Sequence, residues 1–397
     1  MNKIINIMAT AVFVMALFGV VAVASATDKG RFVELSQLAR SNAVRQLGWL
    51  LAAVGAGLGV LGVDYRFYRR PGFMLALFLG TLVLLALVFA PVFGHGINGS
   101  HRWVNLGPLR MQPSEFAKLA MVALTCAWID RAGWNARRFK EGIMYPGAAI
   151  GFVVVLLLLE TDVGATVVLL VSCGAVLFAA GARLAHLLPM AALGLAVLVV
   201  VMLLIPNRRA RVMGFVNEKF NAEYALLDAD RDKAVRDGAV ARDHARQALE
   251  ALRNGGMWGV GYMNSSQKKF YLREAHTDFI AAIIGEEFGF AVCLLVLLGY
   301  GVILVCGMVI AHRAPDRFGR LLAFGMTFLL AFQAAFNLGV VADMLPTKGI
   351  ALPFLSYGGS SLVASMVAVG VILNVGHKVL LAEVSDDANV FRDAVKI

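Results

Sequence analysis

The feature of this sequence that most constrains its fold is a series of ten long apolar runs. A helix crosses the hydrocarbon core of a bilayer with roughly 20 consecutive apolar residues, and it satisfies its backbone hydrogen bonds within the segment, as lipid requires. The runs do not alternate with polar residues, which excludes an outer-membrane barrel. We therefore predict an all-α polytopic membrane protein with about ten transmembrane helices. The runs lie near residues 4–24, 44–63, 72–93, 114–132, 145–160, 164–182, 187–205, 279–311, 320–342 and 358–377.

The composition excludes two other classes of protein. Of the 397 residues, 59% are apolar and 16% are charged, whereas a soluble domain has about 45–50% and about 25%. A soluble enzyme and a disordered chain are therefore excluded. The net charge of +10 is attributed to Lys and Arg in cytoplasmic loops, which fix the orientation of the helices in the membrane. No nucleic-acid partner is therefore predicted. The four cysteines lie inside apolar runs, without the spacing of a zinc site or a disulfide framework.

Basic residues in alternate short loops predict the orientation. Cytoplasmic loops of membrane proteins carry an excess of Lys and Arg, so the side that these loops share is predicted to be cytoplasmic, with both termini inside. The loops at 25–43, 94–113, 206–277 and 343–357 then lie outside. The basic residues are Arg66, Arg69 and Arg70; Arg131, Arg137, Arg138 and Lys140; Arg183; and Arg313, Arg317 and Arg320.

We predict one membrane domain over residues 1–397, with a cytoplasmic tail at 378–397 and one large extracytoplasmic loop at 206–277. In that loop, Ala and Leu at helical spacing from Ala241 to Leu252 predict a surface helix that Gly255 and Gly256 end. The first run exceeds the roughly 7–15 residues of a signal-peptide core, which favours an uncleaved first helix. No Walker A motif is present, so ATP-driven transport by this chain is not indicated.

Ionisable residues at the membrane boundary are the candidates for function, because they are costly in lipid. They form four clusters, all on the predicted outer side. In the first cluster, Ser114 is a predicted cap of the fourth helix, and Glu115 and Lys118 share a helix face and can pair. Either the cluster is only a cap and a local ion pair, or Arg102, Gln112 and Lys118 line a path for an anionic substrate.

The second cluster is Glu160-Thr-Asp162, followed by Gly164, between the fifth and sixth helices. Two carboxylates at a membrane boundary need solvent or partners. Asp162 either only caps the sixth helix or stands at a re-entrant corner of a site.

The third cluster ends the large loop and contains Lys268, His276 and Asp278, with Glu286 and Glu287 two turns further along the eighth helix. It is the densest collection of chemically active side chains in the sequence. For Asp278 alone, a helix cap and a catalytic carboxylate are equally compatible with its position.

The fourth cluster precedes the tenth helix and contains Lys348, Ser356, Ser360 and Ser361 among prolines and glycines. Irregular backbone at membrane depth is tolerated where it lines a cavity or is packed against protein. A helix N-terminus at Ser360 would favour an anion; the alternative is that the glycines only allow close packing.

Three motifs within these clusters together resemble the FtsW/RodA (SEDS) family of peptidoglycan glycosyltransferases. The resemblance covers roughly residues 10–380, and it is nearest to the FtsW septal branch. The sequence departs from the family at Glu160-Thr161, where Gln-Pro is usual, and at Arg273, where Pro is usual. The motifs are Gln112-Pro-Ser-Glu-Phe-Ala-Lys118, Glu274-Ala-His-Thr-Asp-Phe-Ile280 and Leu345-Pro-Thr-Lys-Gly-Ile-Ala-Leu-Pro-Phe-Leu-Ser-Tyr-Gly-Gly-Ser-Ser361.

The resemblance implies polymerisation of lipid II, the undecaprenyl-pyrophosphate disaccharide pentapeptide, with inversion at the anomeric carbon. Such a reaction needs one general base, and the resemblance assigns that role to Asp278, with His276 orienting the acceptor sugar or tuning the carboxylate. Cations, and a divalent Mg²⁺ or Mn²⁺ ion as the cofactor to consider, would stabilise the leaving pyrophosphate, with Lys118 or Lys348 expected to hold it. The expected substrate-binding residues are Arg102, Gln112, Glu115, Lys118, Asp162, Lys268, Lys348, Ser356 and Ser360.

The resemblance further implies an inner-membrane enzyme at the division septum. Its expected partners are a class B penicillin-binding protein transpeptidase, FtsI-like, and other divisome membrane proteins. Two other functions stay open: a lipid II flippase, which needs a path between both faces, and a non-catalytic divisome scaffold, which does not need Asp278. The polar clusters lie on one predicted face, which favours surface chemistry.

Overall fold

The computed structural model describes residues 1–27, 42–90, 94–97, 100–107, 109–131, 134–135, 138–204, 244, 246–270, 272, 275–346 and 349–394. Ten helices of 15 to 36 residues dominate these ranges, and six of them are long and apolar enough to cross a membrane. The prediction of an all-α polytopic membrane protein is confirmed. The long helices are α1 Asn2–Thr27, α2 Asn42–Leu61, α3 Pro71–Leu87, α4 Pro113–Ile129, α5 Tyr145–Leu159, α6 Val163–Ala179, α7 Leu184–Leu204, α10 Ile280–Arg313, α11 Arg317–Val341 and α12 Gly359–Ala394; the short ones are α8, residues 246–255, and α9 Gln267–Phe270.

The helices pack around α10, α11 and α12, while large apolar side chains remain on the outside of the bundle. Leu51, Leu188 and Leu295 are each more than 60% exposed. In water such surfaces would drive association, whereas in lipid they need no partner. The outward apolar side chains therefore agree with a bundle that is surrounded by acyl chains.

The short basic loops meet at one end of the bundle, which we call the basic end. The Arg69 guanidinium lies 3.0 Å from the Asp130 carboxylate, joining the loop after α2 to the end of α4. The chain's amino terminus lies 3.2 Å from Glu383, which also pairs with Arg313. The predicted tail thus continues α12 as a helix, and its Glu383 contacts the first residue of the chain.

A small sheet interrupts the helical pattern between α3 and α4. Its antiparallel strands are β1 Gly94–Ile97, β2 Ser100–Leu106 and β3 Leu109–Met111, in the order β1-β2-β3. Val104 of β2 is fully buried and pairs with Met111. The sequence predicts only a loop over 94–113, and the sheet corrects that prediction. Strand β3 leads directly into α4.

The helix predicted near 241–252 is present as α8, with Arg246, Glu250 and Arg253 exposed on one face and alanines packed against the bundle on the other. Ala248 and Ala251 of α8 are completely buried. Helix α10 is broken at Gly289, which has φ 79° and ψ −179°, and the end of the large loop fills the break: Gly261 N donates to Glu287 O at 3.0 Å, and Phe290 N donates to Gly256 O at 2.9 Å. The loop thus satisfies backbone groups that the break would otherwise leave unpaired.

Candidate functional site

The four polar clusters of the sequence meet at the end of the bundle opposite the basic end, which we call the polar end. The backbone N–H of Gln112 donates to the Ser360 hydroxyl at 3.0 Å, joining the first cluster to the fourth. The Gln333 amide accepts from Lys118 and donates to the Ala351 carbonyl at 3.0 Å. Residues from distant parts of the chain therefore form one polar region.

Asp162 is the hydrogen-bonding centre of the first two clusters and is only 1% exposed. Its Oδ2 accepts from Gln112 Nε2 at 2.9 Å and from Ser114 Oγ at 2.8 Å. Its Oδ1 accepts from the Ala165 N–H at 3.1 Å and so caps α6. Ser114 is not the cap of α4: the N-cap position is Gln112, and the Ser114 hydroxyl instead ties α4 to the turn before α6.

Glu160 and Asp162 lie in the turn between α5 and α6, outside both helices, and Arg102 of β2 reaches this turn. Arg102 Nη2 donates to the Thr161 carbonyl at 2.6 Å. Glu160 is completely buried, and its oxygens have no hydrogen-bond partner within the described part of the chain. Burial, and then the charge of Asp162, raise the pKa of Glu160 to about 9. Burial opposes ionisation of Asp162 as well, but Arg102 and the capping N–H outweigh it and lower the pKa of Asp162, so the turn holds one carboxylate rather than two.

Lys118 lies inside the bundle, where it forms the predicted pair with Glu115. Its ammonium contacts Glu115 Oε1 at 2.9 Å and Gln333 Oε1 at 2.7 Å, and the side chain is 2% exposed. The predicted pair is therefore confirmed. A buried ammonium needs such partners, and Gln333, in the middle of an apolar helix, was not identified from the sequence.

The segment that carries His276 and Asp278 is fixed by backbone contacts with α11 and the fourth cluster. Asn337 Nδ2 donates to the Asp278 carbonyl at 2.9 Å, the Ser356 hydroxyl donates to the Thr277 carbonyl at 2.6 Å, and the Tyr357 N–H donates to the His276 carbonyl at 2.9 Å. Three hydrogen bonds from the polar end thereby hold the backbone carbonyls of this turn.

The Asp278 side chain is half-buried and lies beside Gly349. A Cβ built on Gly349 would stand 2.7 Å from Asp278 Oδ2, so a side chain at that position would displace the carboxylate. The N-cap of α10 is Phe279, not Asp278. The His276 ring lies near the Tyr357 ring, with centroids 5.5 Å apart. The arrangement presents a carboxylate and an imidazole at the boundary of the bundle.

Lys268 is completely buried in an ion pair. Its ammonium lies 2.6 Å from Glu287 Oε1 and 2.7 Å from the Ser25 hydroxyl, which itself donates to Glu287. The neighbouring Glu286 accepts hydrogen bonds from the Ser266 N–H and hydroxyl. The two glutamates thus attach the end of the large loop to α10, and Ser25, which the sequence analysis did not single out, attaches α1.

Two further predictions concern Lys348 and a metal ion. Lys348 lies outside the described residues. Within the described ranges, no group of three or more His, Cys, Asp and Glu side chains could hold a metal ion.

Comparison with known protein families identifies the chain. The family model FTSW_RODA_SPOVE, described as a cell cycle protein, matches residues 5–380. The chain belongs to the FtsW/RodA/SpoVE family. The resemblance carried by the three motifs is therefore confirmed.

Two curated members of the FtsW/RodA/SpoVE family illustrate the similarity. A protein of Geobacter sp. (strain M18), named "Probable peptidoglycan glycosyltransferase FtsW", is 37% identical over 331 residues, which are 83% of this chain and 85% of the relative. The stage V sporulation protein E of Bacillus subtilis (strain 168) is 37% identical over 341 residues, 84% of this chain and 87% of the relative.

Solved structures that resemble this chain have the same bundle. One chain comes from a structure described as "Structural coordination of polymerization and crosslinking by a peptidoglycan synthase complex"; it has a TM-score of 0.68 and 27% identity, covering 94% of this chain and 97% of that one. The rod shape determining protein RodA of Thermus thermophilus has a TM-score of 0.60 and 27% identity, covering 93% and 95%. Family membership and the apolar helices make this chain a multi-pass membrane protein.

Proposed function

We propose that this chain is a peptidoglycan glycosyltransferase that polymerises lipid II into glycan strands during septal wall synthesis, with Asp278 as the general base. The observation that carries the proposal is the half-buried Asp278 carboxylate, held at the polar end where all four polar clusters converge. The name of the Geobacter relative supports the reaction class, and the nearness of the motifs to the septal branch supports the division role.

At the anomeric carbon, the reaction forms one bond and breaks one. The acceptor hydroxyl oxygen attacks the anomeric carbon of the donor, the bond from that carbon to the pyrophosphate breaks, and undecaprenyl pyrophosphate leaves. The hydroxyl proton passes to Asp278 as the new bond forms. One base opposite the leaving group is what an inverting transfer needs, and His276, two residues away, is placed to orient the acceptor sugar.

The surroundings of the two aspartates favour Asp278 over Asp162 as the base. Asp162 is 1% exposed, and its two oxygens already accept three hydrogen bonds. A general base must come within hydrogen-bond reach of the proton that it takes. Asp278 is half-buried at the boundary, so Asp162 acts as a positioning residue that joins α4 to α6.

The leaving pyrophosphate needs positive charge nearby. The surroundings of the candidate cations differ, and they favour one of them for this contact. Lys118 and Lys268 are buried with carboxylate partners, which accounts for their burial without a ligand. Arg102 retains an Nε–H with no acceptor in the described ranges, and a guanidinium suits phosphate geometry. We assign Arg102 the first contact with the pyrophosphate, with Lys348 as the second candidate.

A flippase and a scaffold remain the rival functions. Polymerisation of purified lipid II distinguishes a glycosyltransferase from both. We expect the purified chain, reconstituted with a class B transpeptidase, to form glycan strands, and to be less active alone. Co-purification of the two proteins is also expected. A Cβ built on Gly301 of α10 would meet nothing within 4 Å, and such a small residue allows close contact with a partner helix.

The controls give each rival its own result. Transfer of lipid II across vesicles without polymer would favour the flippase. A transpeptidase that polymerises equally well without this chain would favour the scaffold. Full activity of the lone chain, unchanged by the partner, would contradict an activating role but not the reaction.

The topology can be tested with two cysteine variants. Trp258 is 81% exposed at the polar end, and Arg138 is 71% exposed at the basic end. We expect Trp258→Cys to react with an impermeant thiol reagent in intact spheroplasts and Arg138→Cys to react only after lysis, because basic short loops stay in the cytoplasm. The reverse labelling would place the polar end inside and remove it from the wall-synthesis side.

A further inference from the structure

A cavity at the basic end, far from the polar end, has no role in the proposed function. It has a volume of about 630 Å³ and opens between the loop after α2, the start of α3 and the end of α4. Its volume is in the range of small-molecule sites, roughly 300–1,000 Å³. Its lining consists of Asp64, Arg66, Phe67, Arg69, Arg70, Pro71, Ala127, Asp130 and Arg131.

The lining carries surplus positive charge. It holds four guanidinium groups against two carboxylates, and both carboxylates already have cationic partners. Lys378 Nζ lies 2.8 Å from Asp64, and this hydrogen bond lowers the pKa of Asp64; Asp130 pairs with Arg69. The cavity therefore selects an anion.

Each of the other three guanidinium groups lies over an aromatic ring, that of Arg66 at 5.9 Å from the centre of the Tyr65 ring. The Arg70 guanidinium lies 5.0 Å from the centre of the Phe67 ring, and that of Arg131 lies 4.4 Å from the centre of the Trp128 ring. Stacking of this kind leaves the edge N–H groups of a guanidinium available to a phosphate. The rings thus orient the cations without neutralising them.

The positive end of α3 meets the same cavity at Pro71, which lines it but has no N–H of its own. The helix begins at Pro71, and its N-cap Arg70 makes no side-chain capping bond with any residue in the described ranges. The N-terminus of a helix presents unpaired N–H groups and the positive end of its dipole. Together with the cavity and its guanidiniums, this end of the 17-residue helix forms a phosphate-binding arrangement.

An apolar ridge runs from the cavity along α3. Leu75, Leu79 and Val83 follow Pro71 at intervals of four and lie on one side of the helix; they are 59%, 50% and 58% exposed. Their exposure on a membrane helix places them against acyl chains. The anion best matched to a charged cavity above an acyl-chain ridge is a phospholipid rather than a soluble phosphate.

We propose that this cavity binds the phosphate head group of an anionic phospholipid in the leaflet at the basic end, with its acyl chains along the α3 ridge. Basic pockets between helices on the cytoplasmic side are suited to such head groups. The alternative is that the arginines only hold topology, in which case any basic residue of these loops would be equivalent.

The test measures lipid bound to the full-length protein. The purified chain in detergent is titrated with phosphatidylglycerol or phosphatidylcholine, and retained lipid is counted by native mass spectrometry. We expect selective retention of phosphatidylglycerol, and a loss of affinity of roughly tenfold or more in an Arg66→Gln/Arg70→Gln variant. The matched control is Arg138→Gln, which removes an exposed arginine paired with Glu141 at the same end and should bind like the parent.

Separate results would overturn the proposal. Equal retention of the two lipids, or the same loss in the Arg138→Gln control, means that the cavity has no lipid specificity. Inorganic phosphate that binds alone and displaces the lipid at equal concentration means a soluble-phosphate site. Thermal unfolding checks that the double variant is folded, and Arg131→Gln, on the opposite wall, must weaken phosphatidylglycerol binding independently.

Discussion

Replacement of Asp278 by Asn is expected to reduce lipid II polymerisation by about 10²–10⁴-fold, the usual contribution of a positioned general base. Asn keeps the size of the side chain and caps helices about as well as Asp, so a merely structural Asp278 would tolerate it. The N-cap of α10 is Phe279, which gives a further reason to expect an intact fold. The measurement is the rate of glycan-strand formation by protein inserted in membranes.

The matched control is Glu141→Gln, the same change from carboxylate to amide at an exposed position of the basic end, and it should leave the rate unchanged. Gly349→Ala reaches the same carboxylate from outside, because the added Cβ would stand 2.7 Å from Asp278 Oδ2. The Gly349→Ala variant should slow the reaction because it displaces the Asp278 carboxylate, although Asp278 itself is unchanged. If the Asp278→Asn variant polymerises lipid II near the parent rate, Asp278 is not the base, and Asp162 becomes the leading candidate.

The helices could be predicted from the sequence because each apolar run is a local signal with a length set by the bilayer. The pair of Glu115 and Lys118 was predictable for the same reason, since spacing within one helix determines it. The strands between α3 and α4 have only three to seven residues, and short mixed segments carry little periodic signal. That part of the fold was therefore read as a loop.

The convergence of the site depends on contacts between distant residues, which local patterns do not encode. Ser114 has the residue type and position of a cap, but the hydrogen bond to Asp162, 48 residues away, determines its role. The spacing of α8 predicted an amphipathic helix correctly, but not that its alanine face is buried or that the following loop fills the break of α10 at Gly289. Asp278 itself was identified by its motif, while its neighbours Gly349 and Asn337 became apparent in three dimensions.

Replacement of Lys268 by Met is expected to destabilise the protein by about 3–5 kcal/mol, the usual cost of leaving a buried charge without its partner. The Lys268 and Glu287 side chains are each 0% exposed in their ion pair. Without Lys268, the carboxylate would keep the hydrogen bonds from the Ser25 hydroxyl and the Ser265 N–H but lose its cation. Thermal or denaturant unfolding in detergent measures the loss. Arg138→Met is the control, because that arginine forms an exposed pair 3.3 Å long, and exposed pairs contribute about 0–1 kcal/mol.

The double variant Lys268→Met/Glu287→Met separates a structural ion pair from a substrate-binding lysine. Replacement of both members of a buried pair by apolar residues of similar volume is often neutral or stabilising, so the double variant should recover much of the stability that Lys268→Met loses. Its polymerisation rate should recover with the fold, because the pair anchors the loop and α1 to α10 rather than contacting lipid II. A double variant that is as stable as the parent yet inactive, or a Lys268→Met variant that is inactive at parental stability, would instead return Lys268 to the cations that bind the pyrophosphate.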